Sequence, residues 1–457
     1  MSGLNSERSG EGFGTLRSLI KEAGWSGEEC AKAVNAVGAE AGLALRYSRA
    51  SVTQWNAGSQ PRDPVPRLIA EALSRRLRRA VTMADIGFDD SSAYWCEPSL
   101  PEQLAELAAA VGSERYVTSR VAVYHLAALQ DVEWRGGRGR PLTTEGQPWP
   151  LGRDELEVAT LMVRALSEAD RIYGAGRLRA VVGAYLAQMI GIWLRSPVDQ
   201  GLRTGLLAVA SQLARLSGFM NFDNEAHGAA QRFYRVSLDL AVESDRPDEY
   251  ARTLRRMSGQ AHSLGHFSSA MHLAESASGL RVPPRERVSV LSQIAVSRAA
   301  LGEHRQALRE IGRAESLAVR EDIGQGPPEA GQADEYHYGF FVFDKATVLV
   351  HLGDRKGAVD SLKESLRHWS FTERRSRAIV FSRVAEIQMW QGNLEEAAEF
   401  WNLFLDYYPM LSSRRLARAM STMQSTLSAY SKNRTAKQLL HRAARMTQEF
   451  PKDTPAS

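Results

Sequence analysis

The sequence predicts an all-α chain built as a small helical head followed by a long array of stacked helical hairpins. Three observations predict it. Apolar residues recur three and four apart through most of the chain, the spacing of helices rather than strands. Beyond residue 153, a turn residue followed five positions later by an alanine recurs six times. Between the two parts, Trp134-Arg135-Gly136-Gly137-Arg138-Gly139-Arg140-Pro141 breaks all periodicity, and the polar run to Pro150 extends the break.

Taken in order, residues 1–14 are rich in Gly and Ser and predict a flexible arm. From Leu16 the pattern turns helical, with Leu16, Leu19 and Ile20 on one face and Gly24 placed to end the turn. The head spans 15–90 and ends where Ile86-Gly87-Phe88-Asp89-Asp90-Ser91-Ser92 shifts the composition toward turn formers. A helical stretch from Pro101 to Leu129 lies in a connector and linker over 91–152. The linker arginines read as a solvated basic segment, or as a minor-groove arm.

The array spans 153–450. Its turn residues are Asn224, Gly265, Gly302, Gly353, Gly392 and Ser431, and its alanines are Ala229, Ala270, Ala307, Ala358, Ala397 and Ala436. Successive turns are 41, 37, 51, 39 and 39 residues apart, and the long interval carries a turn-rich insertion from Glu321 to Gly331. A left-handed-tolerant residue ends the first helix of each pair, and the alanine lets the second pack closely against it. One hairpin cannot bury its apolar face alone, so the hairpins must stack, which leaves a concave groove. The helix pair Asp154 to Tyr173 and Arg177 to Leu194 is expected to cap the array. The Leu264-Gly265, Leu301-Gly302 and Leu352-Gly353 pairs resemble the tetratricopeptide repeat, whose usual period of about 34 is exceeded here, which implies slightly longer helices or connections.

Composition excludes several classes. The 57 basic and 53 acidic residues leave a formal charge of only +4, so any nucleic-acid signal must be local. The first residues are polar, and the longest mostly apolar stretch, Val181 to Leu194, is too short to span a bilayer, so the expected location is cytoplasmic with no membrane contact. Cys30 and Cys96 are the only cysteines, too few for a disulfide framework or a four-thiolate zinc site, and Cys30 reads as a buried structural thiol.

The informative segment of the head is Ser48-Arg49-Ala50-Ser51-Val52-Thr53-Gln54-Trp55-Asn56-Ala57-Gly58. Ser48 is placed as an N-cap, Val52 and Trp55 as core anchors, and Gly58 allows the exit turn. Arg49, Ala50, Thr53 and Gln54 are left facing outward. Arginine can pair with guanine, glutamine with adenine, and a threonine methyl can touch thymine. The segment resembles the recognition helix of XRE-type helix-turn-helix regulators. In two places the likeness departs: Gly27 stands where many members carry a phosphate-clamping glutamine, and residues Asn35 to Tyr47 form an insertion that includes Arg46. Residues 41–80 hold eight arginines against Asp63 and Glu71, the local basic footprint that DNA binding requires. The expected DNA-binding residues are Arg46, Ser48, Arg49, Ala50, Ser51, Thr53, Gln54, Arg62, Arg75 and Arg78.

The two-part layout looks like actinobacterial regulators that join such a head to tetratricopeptide-like repeats. The likeness rests on Ser51-Val52 to Trp55, on Val65 to Ser74 and on Val81 to Gly87. A more distant resemblance is to Gram-positive pheromone receptors, but the inner-helix asparagine series that holds a peptide there is missing.

No phosphate loop, nucleophile elbow or metalloprotease helix occurs, so no enzyme, cofactor or metal is expected. His262, His266 and His272 are spaced for a metal only on an unbroken helix, and Gly265 interrupts it. The aromatics Tyr336, Tyr338, Phe340, Phe341 and Phe343 read as core, or as part of a ligand groove or dimer contact. The sequence therefore predicts a sequence-specific transcriptional regulator. It would act as a homodimer on a double-stranded operator, with a small-molecule, peptide or protein ligand in the repeat groove. The alternative is a protein-interaction scaffold whose head no longer binds DNA.

Overall fold

In a computed structural model, residues 16–40, 43–88, 99–112, 123–129, 132–134, 151–176, 178–323 and 337–450 are described. The expected arm, the arginines of the linker, Cys96, Tyr336 and most of the insertion after Ile323 lie outside them. Among the described residues every regular element is helical.

The head is four helices: α1 (16–22), α2 (Gly27–Glu40), α3 (Arg49–Asn56) and α4 (Val65–Leu77). Gly24 ends α1 at φ +66°, and Ser26 and Glu29 close α2 with reciprocal side-chain-to-backbone bonds of 3.2 and 2.7 Å. Leu16, Ile20, Val34, Val52, Trp55, Leu68, Ile69 and Ile86 form one core. Cys30 belongs to it, and burial pushes its thiol up to about 11. The inserted stretch lengthens α2 and is then fastened by Asn35, whose side chain bonds both the amide and the carbonyl of Tyr47 at 2.9 Å. Tyr47 in turn packs edge-on against Trp55, with ring centroids 5.0 Å apart, which fixes the entry to α3.

The array contains six hairpins: α9/α10 (Gln200–Asp223, His227–Glu243), α11/α12 (Pro247–Ser263, Phe267–Ser278), α13/α14 (Pro284–Ala300, His304–Arg320), α15/α16 (Tyr338–Leu352, Arg355–His368), α17/α18 (Arg374–Gln391, Leu394–Tyr407) and α19/α20 (Arg414–Ser428, Arg434–Glu449). Gly265, Gly302, Gly353 and Gly392 sit at φ +80° to +84° with open space around them, so backbone conformation and not crowding selects glycine. In the first hairpin the left-handed residue is Glu225, at φ +58°, and the matching alanine is Ala230. The expected Asn224 and Ala229 are one position early, because a non-glycine residue takes the turn. Ala230, Ala270, Ala307, Ala358, Ala397 and Ala436 are all fully buried.

Between head and array in sequence lie a helix that belongs to the array and a strap that joins the two parts. α5 (Leu100–Gly112) shares a core with α7 (Leu178–Tyr185) and α8 (Gly191–Arg195), which a π-helical turn over Leu186–Ile190 connects. It thus packs with the array, not the head. Residues 123–129 and 132–134 form a strap: Val123 enters the head core, while Tyr124, Leu126, Leu129 and Val132 enter the core of α10 to α12. The Gln231 side chain accepts from the His125 amide at 2.8 Å and donates to its carbonyl at 2.7 Å.

The array then closes on itself. α6 (Arg153–Tyr173) packs on α17, and the loop after α6 docks on the loop before α19: Gly176 donates to Ser412 O at 2.9 Å, and Ser412 donates to Tyr173 O at 2.8 Å. A Cβ at Gly174 would sit 2.6 Å from Ser412 O, so the approach needs glycine. The α6–α8 pair is more than a cap, since it meets both ends of the array.

Candidate functional sites on the head and inside the array

On α3, Val52 and Trp55 are 1% and 4% exposed, while Arg49, Ala50, Thr53 and Gln54 are exposed on the opposite face. Period 3.6 makes this division: two anchors three apart turn the intervening polar residues outward. Ser48 has extended backbone at the N-cap, and the Ser51 hydroxyl accepts from its amide at 3.3 Å, so these two hold the start of the helix. Gly27 has a packing role: a Cβ there would be 3.3 Å from Arg49 Cγ. Arg46 and Arg62 are exposed near the two ends of α3. Among the described residues, Arg46, Arg49, Arg62 and Arg78 make no ion pair.

Arg75 differs from the sequence expectation. Its guanidinium is ion-paired with Glu71 at 2.8 Å and with Glu40 at 2.7 Å, so it holds α4 to α2 and is not available to a phosphate. Arg79 is bound to Glu22 at 2.9 Å, and Arg76 donates to Ala23 O at 2.9 Å. Half the expected basic cluster is therefore consumed within the head. Arg78 ends α4 in the left-handed conformation, at φ +55°, and is exposed. Glu71 is 2% exposed and also accepts from the Leu126 amide at 2.8 Å. Burial pushes its carboxyl up to about 7, against the pull of Arg75. This carboxylate is where head and strap meet.

Inside the closed array lies a cavity of about 700 Å³, lined by the first helix of every hairpin and by α6. Eight arginines and three carboxylates face it. Sequence reading missed this, because the arginines come from helices spread over more than 200 residues with no local motif. Several are held from behind by buried acids: Arg375 by Asp170 at 2.7 Å, Arg215 by Glu249 at 3.4 Å, and Arg415 by Asp223 at 3.7 Å. The guanidinium carbons of Arg256 and Arg375 lie 4.4 and 4.6 Å from the ring centre of Phe219, and that of Arg415 lies 4.9 Å from Phe222. Burial and the charges of Arg375, Arg383 and Arg418 push the Arg415 pKa down, a sign of crowded positive charge.

The histidines do not converge. His262 Nε2 meets His351 Nε2 at 3.0 Å, while His266 stacks on Tyr124. Among the described residues no group of three His, Cys, Asp or Glu could hold a metal, and no helix is long and apolar enough to cross a membrane. Of the expected aromatic cluster, Phe341 is core, while Phe340 and Phe343 line the cavity beside Trp369.

The head has a counterpart among known families. Residues 16–89 match the family model described as the SP15 N-terminal domain. The match covers the head helices and leaves the array outside it. Among solved structures, the "Crystal Structure of Rap Protein Complexed with Competence and Sporulation Factor" aligns over 65% of this chain and 98% of that chain, at 13% identity and a TM-score of 0.32. No curated protein matches the chain.

Proposed function

We propose that this chain is a sequence-specific DNA-binding regulator of transcription, not an enzyme, in which α3 reads the major groove and the repeat array is the input domain. The observation that carries the reading is the face of α3. Arg49, Thr53 and Gln54 stand exposed on a helix anchored by Val52 and Trp55, flanked by Arg46 and Arg62. Donors and acceptors on a rigid helix that protrudes from a packed core are what base readout requires. One such helix covers a short half-site, so the working form is a homodimer on a two-fold operator. The strap supplies a path between the parts, since Gln231 on α10 grips its backbone while Tyr234 on the same helix lines the cavity. A ligand or partner in the array would act by favouring one arrangement of the heads over another.

A second reading, an interaction scaffold whose head does not bind DNA, is favoured by the internal pairing of Arg75 and Arg79. Selection of genomic fragments by the full chain separates the two. The regulator retains a specific set, with retention falling steeply between low and moderate salt; the scaffold retains none at low salt.

A further inference from the structure

We propose that the cavity enclosed by the array binds a small organic anion that carries a flat apolar part beside its acidic groups. The inference deepens the input role given to the array, and it stands whether or not the head binds DNA.

Charge placement comes first. Arg255 and Arg256 on α11, Arg383 on α17, and Arg415 and Arg418 on α19 all line the lumen, where among the described residues the carboxylates are Asp170, Asp344 and Glu386. The acids that hold Arg215 and Arg415, namely Glu249 and Asp223, are fully buried in the wall and do not line the cavity. Arg418 is paired with Glu225 at 3.0 Å and Arg383 with Glu386 at 3.3 Å, and planar guanidinium donors match carboxylate and phosphate oxygens.

The flat part follows from the rings. Phe219 and Phe222 lie under Arg256, Arg375 and Arg415, and Phe343 lines the opposite part of the ring. Tyr234 also lines the cavity, and its buried hydroxyl has no hydrogen-bond partner among the described residues. An unsatisfied buried hydroxyl is costly, and a ligand acceptor would satisfy it. The size fits a small molecule, since such pockets run from about 300 to 1,000 Å³. Gln293 is the only carboxamide lining the cavity among the described residues, so charged guanidiniums dominate its polar groups.

The test uses the full chain and two probes of one skeleton. 8-Anilinonaphthalene-1-sulfonate is a flat aromatic anion, and N-phenyl-1-naphthylamine is the same frame without the sulfonate. The anion should bind one per chain, with blue-shifted emission, at least about tenfold more tightly than the neutral frame. Arg255→Gln combined with Arg256→Gln, and separately Arg415→Gln, should each weaken the anion by about tenfold and leave the neutral frame unchanged. Displacement by pyrophosphate assigns phosphate chemistry to the lumen, and displacement by citrate assigns carboxylate chemistry. Equal affinity for the two frames, displacement by neither competitor, or unchanged anion binding in both folded variants would overturn the proposal. Should a variant fail to fold, the wild-type comparison and competition decide it. DNA retention, measured separately, reports on the head alone.

Discussion

Trp55 and Arg49 share one turn-and-a-half of helix and do opposite work. Trp55 is buried against Tyr47 and the head core, so Trp55→Ala should destabilise the head by about 3–5 kcal/mol in denaturant melts. Arg49→Ala should leave the melt unchanged and cost about 1–3 kcal/mol at the true operator, with relaxed preference at one base pair. Arg78 and Arg75 divide in the same way. Arg78→Ala should weaken all DNA alike and flatten the salt slope by about 0.9 if it meets a phosphate. Arg75→Ala should instead loosen the head from the strap, because Glu71 loses its cation while 2% exposed. The array histidines offer a pH test. Burial holds His262 and His266 down at about 4, against 6.5 for a free ring. The unfolded chain binds their protons first, so their contribution is complete above pH 6.5 and is lost as pH falls toward 4. NMR titration of the ring resonances should show both protonating near pH 4; midpoints near 6.5 would contradict the packing described.

At the scale of elements, the hairpin turns are the most legible feature in the sequence and the easiest to break. Gly353→Ala or Gly392→Ala forces a Cβ into the left-handed region and should cost about 1–2 kcal/mol each, visible as lower melting temperatures. What the sequence conveyed well was local: glycine and alanine five apart, and the anchors of α3. The first hairpin was displaced by one residue because Glu225 adopts the turn without advertising it. Arg75 looked free because Glu40, one of its two partners, is 35 residues away. The strap was illegible for the same reason, since His125 and Gln231 are 106 residues apart. Gln231→Ala removes both bonds to the strap and should speed proteolytic cleavage near residue 125 without unfolding α3.

For the whole molecule, ring closure is the feature on which the cavity depends. Arg375 joins α17 to Asp170 of α6 at 2.7 Å and lies 3.9 Å from Asp223 of α9. Arg375→Ala leaves the buried carboxylate of Asp170 without its cation, a loss of about 3–5 kcal/mol, and should open the ring enough to enlarge the radius of gyration in X-ray scattering. Because α5 and the strap pack with α7 to α12, a fragment that holds the folded array should begin before Leu100, not at residue 153. Whether α3 reads DNA is decided by affinity for a selected genomic fragment, measured with the full chain and its Arg49→Ala, Gln54→Ala double variant. Base readout by α3 requires that the folded double variant lose specific binding by at least about tenfold while nonspecific affinity changes little. A folded double variant that binds the same fragment with unchanged affinity and sequence preference would contradict it.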